Sequence, residues 1–100
     1  MTHFSRKVIL NSKSGYSDEH DSLLNRLIDD KVPLFCTVGK DCELWHDTMD
    51  ELFVVPYGDD RDFFMITTWH TDKTLEEVIE FAKIFDIDNI DNDEIHIIEV

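Results

Sequence analysis

His70-Thr71-Asp72 stands directly after an apolar run that ends at Trp69. A histidine titrates near neutral pH and a nearby carboxylate can orient its ring, so His70 and Asp72 are the best candidates for acid–base work. The same pattern also serves ordinary loop and helix-entry chemistry, and no nucleophile signature accompanies it. Three short polar segments, residues 11–15, 39–41 and 70–73, hold Lys13, Lys40 and Lys73 together with Ser12 and Ser14. Backbone amides at a helix start carry partial positive charge, so lysines and hydroxyls beside them suit a phosphate- or nucleotide-like anion. Neither G-x-G-x-x-G nor the spacing of a phosphate-binding P-loop is present. Ser12, Lys13, Ser14, Lys40, His70 and Asp72 are the working set of this ligand-binding or enzymatic reading, which ranks second.

Cys42 and His46 are four apart, a helical spacing that points two metal ligands the same way. No third or fourth ligand is evident, and the preferred reading packs Cys42 inward and leaves His46 at the helix margin. Cys36 lies within an apolar run, where a free cysteine acts as a small buried hydrophobe. Asp86, Asp88, Asp91, Asp93 and Glu94 imitate a calcium loop, but the glycine position is Asp91 and the twelfth position is Ile97. That excludes an EF-hand. The sequence implies no metal, no cofactor and no catalytic residue.

Alternating strand and helix signals must position these groups. Lys7, Val8, Ile9 and Leu10 read as a first strand, followed by a loop over residues 11–15. Ser17 is placed to cap a helix whose apolar stripe is Leu23, Leu24, Leu27 and Ile28. Pro33 ends it and opens a second strand at residues 34–38, closed by Gly39. Asp41 is placed to cap a second helix with Cys42, Trp45, Met49, Leu52 and Phe53 inward; a short strand at residues 53–55 is the lesser alternative. Residues 63–69 form the clearest strand, apolar enough to be covered on both faces. Thr74 and Glu77 make a capping box for a third helix, with Leu75, Val78, Ile79, Ala82 and Phe85 as its buried stripe. The last strand, residues 95–100, alternates only partly and suits a sheet edge.

The order βαβαβαβ predicts a single α/β domain over residues 1–100. Its expected form is a three-layer Rossmann-like or flavodoxin-like sandwich, with a four-stranded, mainly parallel sheet and three helices.

Charge narrows the function classes. The 100 residues include 23 acids and 9 lysines and arginines, a net charge of -14. Such a surface repels a nucleic-acid backbone and an anionic membrane. The imbalance lies in residues 41–100, where eighteen acids face only Arg61, Lys73 and Lys83. Two cysteines are too few for a disulfide framework, and neither a signal peptide nor a membrane-length run is visible, so the expected setting is the cytoplasm.

The first reading is therefore a small acidic protein-interaction module that binds a basic partner protein. By size and charge alone it is analogous to immunity or inhibitor proteins, and a non-enzymatic role ranks ahead of an enzymatic one. The expected docking residues are Glu43, Asp47, Asp50, Glu51, Asp59, Asp60 and Asp62, with Tyr57 and Trp69 as aromatic anchors; Trp45 is expected to be buried.

Overall fold

The computed structural model describes residues 7–54, 65–85 and 95–100. Four strands and three α-helices alternate: β1 Lys7–Ser12, α1 Asp21–Asp29, β2 Leu34–Gly39, α2 Cys42–Val54, β3 Ile66–His70, α3 Leu75–Ile84 and β4 Ile95–Glu99. All pairings are parallel, in the order β3-β2-β1-β4. This is an α/β fold, as the alternation implies, with the strand order of a Rossmann-type half-sheet.

Right-handed crossovers dictate the layers. Two successive steps, β1 to β2 and β2 to β3, move in one direction and leave α1 and α2 on one face. The third connection returns past β1 to β4 and puts α3 on the other. Side-chain alternation then divides the core. Val8, Leu10 and Phe35 pack with Leu24, Leu27, Ile28, Trp45 and Met49 beneath α1 and α2. Ile9, Leu34, Cys36 and Val38 pack with Val78 and Ala82 beneath α3. The central strands β1 and β2 are buried on both faces, which explains their nearly unbroken apolar runs.

Local signals explain most element ends. The Thr74 hydroxyl accepts from the Glu77 N–H at 3.1 Å, and the Glu77 carboxylate accepts from the Thr74 N–H at 3.0 Å, completing the capping box. α1 ends in a Schellman arrangement: the Val32 N–H reaches Leu27 O, the Lys31 N–H reaches Ile28 O, and Lys31 takes φ 58°. Buried Val32 then tucks against the same cluster as Leu27.

Several local expectations are corrected. Ser17 precedes a 3-10 turn, Asp18–His20, and makes no side-chain cap; its hydroxyl instead lies 3.4 Å from Glu19 Oε1. Asn11 and Ser12 belong to β1 rather than to the loop after it. Residues 53 and 54 belong to α2, in line with the preferred helix and not with the strand kept as its alternative. The described part of the third strand begins at Ile66 and runs on through His70. It lies at a sheet edge with most of its side chains half-buried, not covered on both faces, because the chain returns across the sheet after it. β4 occupies the other edge, as its partial alternation implies. Residues 86–94, with their run of acids, lie outside the described residues.

Candidate functional site

Two places could carry function: the loops beyond the carboxyl ends of the strands, and the outer margin of α2 with β3. In an open parallel sheet the first is the usual ligand crevice, at the point where the strand order reverses. Here that point lies between β1 and β4. Ser12, the last residue of β1, is 3% exposed, and its hydroxyl accepts from the Trp45 indole N–H at 3.0 Å and from the Gly15 N–H at 3.1 Å. The Lys13 and Ser14 amides donate to Val100 O at 2.7 and 3.3 Å. The Tyr16 amide donates to Asp41 Oδ2 at 3.1 Å. Asp41 itself stands just before α2 with φ 61°, and its carboxylate reaches across to the first loop. The amides of the first loop, Lys13 to Tyr16, therefore already have internal acceptors, one of them a carboxylate.

The adjoining turn is equally tight. Gly39 takes φ 95°, and a Cβ there would meet Ser12 O at 2.2 Å, while the next amide, Lys40, donates to that same oxygen at 2.9 Å. Lys13 extends outward toward Glu99, 3.7 Å away. Tyr16 stands edge-on to Trp45, its hydroxyl bonded to the Asp21 carboxylate; that bond, with burial and the charge of Asp21, pushes the phenol up to about 12.

His70 is not part of this group. It lies on the α3 side of β3, whereas Ser12 lies on the α2 side of β1, two strands away. Its Nε2 pairs with the Thr68 hydroxyl at 2.9 Å and its ring meets Phe81 at 4.7 Å. Burial, and then the charge of Lys73, lower its pKa from 6.5. The expected orienting partner, Asp72, occupies a tight turn at φ 61°, while Lys73 lies 3.9 Å from Glu77. Cys36 is fully buried, and burial pushes its thiol up to about 11, which keeps it protonated and unreactive. Cys42 is buried beneath α2, 3.8 Å from the Thr71 hydroxyl. Among the described residues no group of three or more His, Cys, Asp or Glu could hold a metal ion, and no helix is long and apolar enough to cross a membrane.

The second place is open. Glu43, Asp47, Asp50 and Glu51 are exposed along α2. His46 sits at the helix margin, its Nδ1 3.1 Å from Asp47 and its Nε2 3.6 Å from Asp50. The His46 ring lies on Trp69 of β3 with centroids 4.5 Å apart. Asp50 also accepts from the Thr67 hydroxyl at 2.7 Å, tying helix to strand. Trp69 remains 45% exposed, while Trp45 is wholly buried.

A family model described as Domain of unknown function (DUF7684) matches residues 2–100. The chain belongs to that family. No curated protein and no solved structure matches it. Membership in DUF7684 thus extends across nearly the whole chain without assigning a chemistry, and the site must be argued from its geometry.

Of the expected docking residues, Glu43, Asp47, Asp50 and Glu51 are exposed on α2, and Asp47 and Asp50 contact His46, whose ring meets Trp69. Tyr57, Asp59, Asp60 and Asp62 lie outside the described residues. The second set is split: Ser12, Lys13, Ser14 and Lys40 share the adjoining β1 and β2 ends, and His70 and Asp72 stand apart. Sequence reasoning missed His46 and Thr67 as parts of the Trp69 margin. It also missed Lys7, which is 3% exposed and donates to Ala82 O at 2.8 Å in the last turn of α3. A buried tryptophan needs an acceptor for its N–H, and that need was the available signal for Ser12.

Proposed function

We propose that this protein is an acidic interaction module that binds a basic partner protein through the α2 margin, with Trp69 as the anchor. The observation that carries this reading is the Trp69 ring itself, nearly half exposed and braced by His46, whose own ring nitrogens face the exposed carboxylates of Asp47 and Asp50. Aromatic anchors ringed by charge are what binding hot spots are made of, and complementary fields speed encounter. Like charges along α2 repel one another in the free protein, so a cationic partner relieves that repulsion as it docks. An immunity or inhibitor role toward a basic toxin or enzyme is the form of this function that the size and charge favour. The strand-end rim is the weaker candidate, because the amides of its first loop and of Lys40 are engaged within the fold and His70 stands apart from them.

The test is capture from native lysate at low and then high salt, followed by association kinetics of the captured protein. A basic partner is expected, associating several-fold more slowly with the combined Asp47→Asn, Asp50→Asn and Glu51→Gln variant. Exposed charges are screened beyond about 8 Å in physiological salt, so the rate should fall steeply as salt rises. An association rate indifferent to both salt and these substitutions would assign the charge to solubility alone.

A further inference from the structure

Among the described residues β3 is an edge strand with no strand, lysine or proline guarding its outer side. The Ile66 N–H donates inward, to Pro33 O at 2.8 Å. Backbone groups alternate sides along a strand, so the N–H and C=O of Thr67 and Trp69 point away from β2. Among the described residues no strand pairs with them. Exposed edges are ordinarily blunted by lysine, proline, a bulge or a covering element. Ile66-Thr67-Thr68-Trp69-His70 contains neither lysine nor proline and is mostly β-branched or aromatic. At the other edge β4 carries Glu99, and the following residue, Val100, bonds back to the β1 strand and loop through Asn11, Lys13 and Ser14.

We propose that the outer edge of β3 receives an extended, arginine-bearing segment of the partner as a fifth strand. The proposal rests on the reading of the α2 margin above and adds the mode of recognition. A strand laid beside β3 would present alternate side chains to the two sides of the sheet. On the α2 side they would meet Trp69, Asp50 and Asp47. A guanidinium suits that place better than an ammonium, because its plane stacks on an indole and its paired N–H groups match a carboxylate. On the α3 side they would run beside Ile66 and His70, with Phe81 behind them, which suits a β-branched apolar residue. A second copy of this chain is a poor occupant, since two bodies of net charge -14 would have to meet along their acidic margins.

The probe is a synthetic decapeptide alternating arginine and valine, titrated into the full chain while backbone amides are followed by NMR. Binding is expected to shift the Thr67 and Trp69 amides and to slow their hydrogen exchange. N-methylation of the peptide backbone, or Thr67→Pro in the protein, should weaken binding about tenfold through lost backbone hydrogen bonds. Thr67→Val, which loses the hydroxyl bonded to Asp50 but keeps the amide, should weaken binding less than Thr67→Pro, and a glutamate–valine peptide should not bind. Equal affinity of the N-methylated peptide, or shifts confined to α2, would overturn strand addition and leave the acidic-margin reading standing. No binding by any peptide would also overturn it, whereas the salt-dependent capture decides the acidic margin separately.

Discussion

At the carboxyl end of β1, four successive amides, Lys13, Ser14, Gly15 and Tyr16, have acceptors inside the fold. At the edge of β3 the same kinds of groups point outward, and the tryptophan beside them is 45% exposed rather than buried. Both regions combine an indole, a hydroxyl and an aspartate: Trp45, Ser12 and Asp41 in one, Trp69, Thr67 and Asp50 in the other. The first set is turned inward and holds two loops together. The second is turned outward and leaves an aromatic face free. The same three kinds of side chain are thus enclosed in one place and outward-facing in the other, and what separates them is whether, among the described residues, chain lies on the outer side.

The sharpest way to break this contrast is to remove each indole. Trp45→Ala should cost about 3–5 kcal/mol of folding stability, because it opens a cavity between Tyr16, His20 and Met49 and takes a donor from Ser12. Urea unfolding measures it, and a loss under about 1 kcal/mol would show that the β1 end is not the closed region described. Gly39→Ala comes next, at roughly 2–3 kcal/mol, since the new Cβ would have to avoid Ser12 O while holding a left-handed backbone. The same unfolding curve reads it, with no change in slope if the denatured state is unaltered.

Trp69→Ala should behave oppositely. Its stability cost should be about 1 kcal/mol, while binding of the arginine–valine peptide should weaken by about 2 kcal/mol, as for a hot-spot residue. A larger loss in folding than in binding would make Trp69 a core residue with an exposed rim. His70 supplies the smallest effect. Its folded pKa is lowered from 6.5, first by burial and then by Lys73. The folded state therefore binds fewer protons than the unfolded chain: the stability from this group is full above 6.5 and is lost as pH falls below it, through the folded value. His70→Gln should flatten the dependence of the unfolding midpoint on pH between about pH 5 and 7. An unchanged slope would place the histidine in water.

The elements themselves were legible because their causes are local. The stripe Leu24, Leu27 and Ile28, the capping box of Thr74 and Glu77, and the breaks at Pro33 and Gly39 each act within a few residues. The burial of Trp45 and the exposure of the α2 acids followed from helical periodicity alone. Periodicity says which way a side chain faces but not what stands opposite. Ser12, in a polar stretch of sequence, became a buried acceptor because β1 is central and α2 crosses it there. Lys7, at the start of an apolar strand, found the last turn of α3 only because that helix crosses β1. His70 and Ser12 looked like neighbours at one rim until strand alternation put them on opposite faces.

The apolar character of the third strand implied a covered, central position, yet the return of the chain past β1 left β3 at an edge. The sequence by itself determined the number, kind and order of the elements, and the strong negative charge. Only the tertiary structure decided which described strands lie at the sheet edges and which polar groups are already satisfied. Those outcomes depend on crossover handedness and on contacts between residues distant in the chain, and no local pattern encodes either.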